Sequence, residues 1–175
     1  MATAIFYASS TGNTSNVAKE IAKTLGGVEY FNIASSGVKK ISTYDKVILG
    51  TSTWGEGDLQ DDWDELWDEF CKIDFTGKTV ALFGLGDQDG YADNYLDAMG
   101  QIYEKVVENG ANIIGNWDIT EEYFQEESLA IKDGSFVGLA LDEDNQEELT
   151  DERISIWCNN IKNEIIGSVR KSVSV

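Results

Sequence analysis

An α/β fold is predicted, an open, doubly wound sheet of five parallel strands with helices on both faces, and the order of apolar runs, helical spacings and glycine-bearing loops predicts it. Runs at residues 3–8, 28–33, 46–51, 79–84 and 111–115 have the length of buried strands and are built from Val, Ile, Leu and Phe, and a further run covers 136–141. Between them, helical spacing links Val17, Ile21 and Leu25; then Trp63, Leu66, Trp67 and Phe70; then Ile102, Tyr103, Val106 and Val107; and finally Ile154, Trp157, Ile161 and Ile165. Strands alternating with helices form a parallel sheet covered on both sides, and such sheets bind ligands at the carboxyl ends of their strands.

Residues 117–135 break the alternation with a polar and aromatic segment between two apolar runs, where one strand and its following helix are expected. The segment reads as an insertion in the last strand, either functional or an added structural lobe. Residues 1–167 read as a single domain, and 168–175, Ser-Val-Arg-Lys-Ser-Val-Ser-Val, as a mobile tail.

Composition narrows the function. Thirteen basic against 32 acidic residues give a net charge of -19, which repels nucleic acid and anionic membrane and favours partners with basic surfaces. The sequence contains no histidine, so Ser-His and Cys-His catalysis and histidine metal sites are excluded. Cys71 and Cys158 lie far apart and belong to no Cys-x-x-Cys pair, which leaves them as small buried residues. The amino-terminal residues lack the order of a signal peptide, and no apolar run reaches the length of a membrane span, so a cytoplasmic protein without membrane insertion is expected.

Three loops leave the ends of the first, third and fourth core strands. The first, Ser9-Ser10-Thr11-Gly12-Asn13-Thr14, opens a helical stretch and contains no lysine or arginine. Hydroxyls, an amide and backbone N–H groups at a helix N-terminus hold a phosphate by dipoles alone; the alternative is an ordinary polar turn with Thr14 or Ser15 as helix cap. Neither the Gly-x-x-x-x-Gly-Lys pattern nor the spaced glycines of the dinucleotide fold is present. The second loop, Thr51 to Asp58, sets Trp54 before Gly55-Glu56-Gly57, and Gly55 permits a reversed peptide. The third, Gly84-Leu85-Gly86-Asp87-Gln88-Asp89-Gly90-Tyr91, again ends on an aromatic. Together they describe a site for a planar phosphorylated ring, with aromatics for its faces and backbone groups for its edges.

These residues resemble the flavodoxin family nearly from end to end. Ser9 to Thr14 is similar to the family's FMN phosphate loop, Thr53-Trp54-Gly55-Glu56-Gly57-Asp58 to its first ring-binding loop, and Gly84 to Gln88 with Gly90-Tyr91-Ala92-Asp93-Asn94 to its second. The match extends to Phe136–Gln146 and Leu149–Ile154, and 117–135 is similar to the insertion that splits the last strand in the long-chain subgroup. The resemblance implies strand order 2-1-3-4-5. It also implies that Ser9, Ser10, Thr11, Gly12, Asn13 and Thr14 bind the FMN phosphate, that Trp54 covers the inner ring face and that Tyr91 stacks on the outer. Thr53, Gly86, Asp87 and Asn94 would meet the ribityl chain or ring edge. Gly55, Glu56, Gly57, Leu85 and Gln88 belong to the two ring loops, and Asp144 carries over to the ribityl region. Ser52 stands where the family often has proline.

The resemblance implies a low-potential one-electron carrier with non-covalent FMN rather than a turnover enzyme. Its partners would be redox proteins with basic docking surfaces, such as an NAD(P)H-dependent flavodoxin reductase and low-potential acceptor enzymes, and the carrier itself a monomer. Glu56, Asp58, Asp61, Asp62, Asp87, Asp89 and Asp93 cluster near the expected ring and would make a further negative charge there unfavourable. Two other readings stay open. One is an FMN-dependent quinone or nitro-group reductase on the same fold. The other is a cofactor-free signalling receiver, for which Gly50-Thr51 stands where a phosphorylatable aspartate is required.

Overall fold

The computed structural model describes residues 3–54 and 56–167; Gly55 and the tail expected at 168–175 lie outside the described residues. Strand β1 (Thr3–Tyr7) leads into helix α1 (Asn13–Thr24), followed by β2 (Glu29–Asn32), β3 (Lys46–Trp54), the short helices α2 (Asp61–Glu65) and α3 (Trp67–Phe70), and β4 (Thr79–Leu85). Helix α4 (Asp97–Glu108), β5 (Asn112–Ile114), β6 (Leu139–Leu141) and α5 (Thr150–Ile166) complete the frame. The parallel order is β2-β1-β3-β4, and both β5 and β6 lie beside β4, in the order the sequence implies.

The two segments beside β4 are halves of one position. Thr79 to Ala81 pair with Asn112 to Ile114, and Phe83 to Leu85 pair with Leu139 to Leu141. The chain leaves the sheet after the first half and returns for the second, so the last strand is split as expected. The excursion folds into an antiparallel sheet of Trp117–Asp118, Ile131–Lys132 and Ser135–Phe136, with the last in the middle. The apolar run at 136–141 therefore divides, Phe136 going to the small sheet and Leu139 to Leu141 to the large one.

Alternation along the strands makes two cores. Ala4, Phe6, Val47, Leu49, Val80 and Leu82 face one side, where Trp63, Phe70, Met99, Ile102 and Val106 cover them. Ile5, Tyr7, Ile48, Ala81 and Phe83 face the other, under Val17, Ile21, Ile154, Trp157 and Ile161. At Gly50 the Phe83 ring from the neighbouring strand packs against the backbone, in the space that a Cβ would fill. The helix expected from Trp63 to Phe70 is broken at Leu66, with φ -96° and ψ 7°. Asp61 with Glu65, Asp64 with Asp68 and Glu65 with Glu69 are like-charge neighbours one turn apart, which weakens a continuous helix.

Candidate functional site

Gly12 makes the junction between β1 and α1. Its φ of 96° and ψ of -13° lie where a side chain is strained, and the turn delivers the chain straight into the helix. Among the described residues no side chain caps α1, and no acid occupies its first turn. The cap expected as an alternative at Thr14 or Ser15 is not formed, because both residues are already helical. The first N–H groups of the helix, together with the positive end of its dipole, are therefore available to an anion. Ser9 Oγ accepts the Gly12 N–H at 3.0 Å, so the Ser9 hydroxyl hydrogen turns to some other acceptor.

A cavity of about 260 Å³ opens at the carboxyl ends of β1, β3, β4 and β6. Thr11, Asn13 and Thr14 line it from the first loop, Ser52 and Thr53 from β3, and Leu85, Gly86, Asp87 and Tyr91 from the segment after β4. Glu143 and Asp144 close the side after β6, and none of the described lining residues is basic. Tyr91 borders the cavity and is 44% exposed, which leaves part of its ring free to be covered. Thr53 Oγ1 accepts the Ala98 N–H at 3.0 Å, which fixes its hydroxyl against the start of α4.

The remaining described residues of the expected set do not line this cavity. Ser9, Ser10 and Gly12 form the turn beside Thr11, and Glu56 is exposed. Gly57 is buried, its carbonyl accepting from Gln101 Nε2 at 2.7 Å. Asn94 Nδ2 donates to Asp97 Oδ2 at 3.1 Å. The Trp54 side chain is outside the described part of the molecule, as is Gly55.

Gln88 is a correction. Expected among the cofactor-binding residues of the second ring loop, it is fully buried and its side chain points into the protein. Nε2 donates to Asp142 Oδ2 at 2.9 Å and to Gln146 Oε1 at 3.0 Å, while Oε1 accepts the Phe124 N–H at 2.8 Å. With every polar group of the amide engaged, Gln88 is a strut beneath the loop. Sequence reasoning also missed Ser52 and Glu143 as lining residues. Each stands next to an expected one, but nothing in the residue types signals which of two neighbours faces inward.

Negative charge dominates the site. Asp87, Asp142 and Asp144 place carboxylate oxygens within 4.8 Å of one another. Burial pushes the Asp87 carboxyl up, but hydrogen bonds from the Gly90 amide, the Asn145 side chain and the Asp89 amide outweigh it and hold the group below the usual range. Asp144 has no such compensation, and burial with the charges of Asp87 and Asp142 raises it. Glu143 is raised by burial, against the Thr150 hydroxyl that donates to it at 2.7 Å. Burial pushes the Cys158 thiol to about 12, which removes it as a nucleophile at neutral pH. A larger cavity of 490 Å³ lies between the insertion and α5, but none of the three loops reaches it.

An uncapped helix N-terminus, an exposed aromatic and an acid-rich wall at the switch point of a parallel sheet define a protein that anchors a phosphorylated planar ring. The flavodoxin family model matches residues 5–157. A flavodoxin of Picosynechococcus sp. is 47% identical over 161 residues, covering 90% of this chain and 94% of its own. Flavodoxin 1 of Escherichia coli is 44% identical over 165 residues, covering 93% and 94%. The crystal structure of Fusobacterium nucleatum flavodoxin bound to flavin mononucleotide superposes with a TM-score of 0.88 at 37% identity, covering 94% of this chain and 98% of that one. The chain belongs to the flavodoxin family.

Proposed function

We propose that this protein is a low-potential one-electron carrier that holds FMN without a covalent bond in the cavity between the three loops, and that it is not a turnover enzyme. The observation that carries the reading is the start of α1, uncapped and unneutralised among the described residues, facing a cavity whose described lining residues include no basic one. It suits a phosphate that is anchored rather than transferred. Bound FMN supplies single-electron exchange without a protein acid or base, consistent with a chain that has no histidine.

The residues divide the work. Ser9 to Thr14 hold the phosphate, Trp54 and Tyr91 cover the ring faces, and Thr53, Gly86, Asp87, Asn94 and Asp144 meet the ribityl chain and ring edge. The acids of the wall and of α2 make added electron density on the ring unfavourable, and the same charge steers redox proteins with basic surfaces to that edge. A reductase using NAD(P)H and low-potential acceptor enzymes are partners of this chemistry. The carrier works as a monomer of one domain, residues 1–167, in the cytoplasm. Among the described residues no helix is long and apolar enough to cross a membrane.

Reconstitution with FMN tests the proposal. The expected result is a tightly bound flavin spectrum, negligible NAD(P)H oxidation by the protein alone, and rapid reduction once a basic flavodoxin reductase is added, at a rate that falls with ionic strength. Failure to take up FMN, or steady NAD(P)H oxidation without a partner, would overturn it.

A further inference from the structure

Gln60 stands between β3 and α2 with only 1% of its surface exposed. The hydrogen bonds fix the orientation of its amide. Oε1 lies 2.7 Å from the Asp62 amide nitrogen and 3.3 Å from that of Trp63, both of which only donate. Nε2 lies 3.0 Å from Asp62 Oδ2, a carboxylate oxygen that accepts, and 3.0 Å from Ser10 Oγ. A primary amide nitrogen carries two hydrogens, so one goes to Asp62 and the other to Ser10. The Ser10 oxygen is thereby an acceptor toward Gln60, and its hydroxyl hydrogen is left for an acceptor outside.

We infer that Gln60 is a positioning residue for the phosphate: its side chain, 50 residues away in the sequence, holds the Ser10 hydroxyl as a donor to a phosphate oxygen. The inference rests on reading Ser9 to Thr14 as the phosphate loop. Ser9 and Thr53 are oriented in the same manner, each accepting a backbone N–H, but those donors survive any side-chain substitution. Gln60 supplies its donor from a side chain and can be removed. Because the same side chain caps α2 through Oε1, it also ties the phosphate loop to the segment that follows the first ring loop.

The test compares dissociation constants for FMN and for riboflavin, which lacks the phosphate, on the apoprotein. Riboflavin affinity reports the integrity of the fold and ring loops, and the ratio of the two isolates the phosphate. Gln60→Met is expected to lower the ratio about tenfold, the worth of one hydrogen bond to a charged group. Ser10→Ala should lower it by a similar factor, and the double variant no further than Ser10→Ala. If Gln60→Met does not fold, Gln60→Glu is combined with Asp62→Asn, whose side-chain amide donates to the new carboxylate at the place where Asp62 accepted from Gln60; the capping oxygen is kept and the Ser10 hydrogen turns inward. That combination is expected to lower the ratio by a larger factor with Ser10 present than in the Ser10→Ala background, and equal factors in the two backgrounds overturn the inference. An unchanged ratio, or losses that multiply in the double variant, overturns the inference. A wild-type protein that binds FMN no better than riboflavin instead overturns the reading of the loop, and the inference with it.

Discussion

Gln88 gives Asp142 two hydrogen bonds inside the protein, its backbone N–H at 3.1 Å and its Nε2 at 2.9 Å both donating to Oδ2. Asp142 is fully buried, and its other oxygen accepts the amides of Asp144 at 3.1 Å and Asn145 at 3.0 Å. The Asn145 side chain adds a further donor at 2.9 Å. The charge is thus satisfied by N–H groups from both sides of the site, and the loop after β4 is fastened to the loop after β6.

Replacing the acceptor tests that fastening. Whichever way its amide is turned, Asp142→Asn sets an NH2 group against backbone N–H donors, that of Gln88 or those of Asp144 and Asn145, and is expected to destabilise the apoprotein by about 2–3 kcal/mol. Because Asp87 and Asp144 are held on either side of it, FMN affinity should fall as well. Urea unfolding and FMN titration measure the two effects. A variant as stable as wild type would show that the carboxylate is dispensable.

Glu143 sets a pH-dependent opposition to folding. Burial, followed by the charges of Glu147, Asp151 and Asp142, raises it above its ordinary 4.5 despite the Thr150 hydrogen bond. A raised carboxyl binds its proton more tightly in the folded than in the unfolded chain, so its ionised form opposes folding at neutral pH. That opposition fades as pH falls through the raised value and is gone below 4.5. Glu143→Gln, which keeps an acceptor for Thr150, should therefore stabilise the apoprotein at pH 7 and match wild type below the ordinary glutamate value. Urea midpoints at the two pH values decide it; a gain of equal size at both would assign the effect to something other than charge.

The carboxylates of the cavity wall should also set the potential of the second reduction step. A charge about 10 Å from the ring in a partly aqueous medium is worth about 0.5–1 kcal/mol, or roughly 20–40 mV per electron. Glu143→Gln with Asp144→Asn should raise the second midpoint by about that much for each charge removed, and raising the salt concentration should recover part of the shift in the wild type. Spectroelectrochemical titration gives the answer, and a second midpoint indifferent to both changes would remove electrostatics as the cause of a low potential.

Beneath the insertion, Arg153 is a charge with little return. Its side chain is 4% exposed, the guanidinium carbon lies 4.3 Å from the Tyr123 ring centre, and its nearest carboxylate is Glu122 at 3.6 Å, too long for a hydrogen bond. Among the described residues, Nη1 and Nη2 find no hydrogen-bond acceptor. Arg153→Met keeps the apolar contact with Tyr123 without the desolvated charge, and is expected to leave stability unchanged or raise it by about 1–2 kcal/mol. Glu122→Gln removes the nearest opposite charge and should lower stability. The two variants moving in the same direction in thermal unfolding would contradict this account.

Why the fold was legible and parts of the site were not follows from the forces involved. Ala4-Ile5-Phe6-Tyr7 and Val47-Ile48-Leu49 are buried on both faces, and a strand in that position must be apolar throughout, so composition alone marks it. The split strand showed as two apolar runs with a polar gap. Gln88 did not show, because a glutamine in a glycine-rich loop reads as a polar contact. Its inward course depends on Asp142 and Phe124, which lie 54 and 36 residues away. The link from Gln60 to Ser10 escaped for the same reason, since both residue types are ordinary in loops.

Gly100 is where the insertion meets the frame. A Cβ added there would lie 2.6 Å from the carbonyl carbon and oxygen of Leu129 and 2.9 Å from the Ala130 nitrogen, so the insertion backbone rests directly on α4. The same segment donates the Leu129 N–H to Asp97 at 2.8 Å, the Phe124 N–H to Gln88 at 2.8 Å, and the Glu126 and Glu127 N–H groups to the Ala92 carbonyl at 2.8 and 3.0 Å. All of these acceptors sit on the second ring loop or the first residue of the helix after it. Gly100→Ala sets two effects against each other. Alanine in a helix interior gains about 1 kcal/mol over glycine, whereas overlap with a backbone that cannot rotate away costs about 1–3 kcal/mol. Because the clash is with backbone held at several points, the overlap should win. The variant should lose up to about 2 kcal/mol of stability, exchange the amide hydrogens of Phe124, Glu126 and Leu129 faster, and bind FMN more weakly as the second ring loop loses its backing. A variant more stable than wild type with unaltered exchange at those amides would mean that the insertion yields freely and does not brace the flavin site.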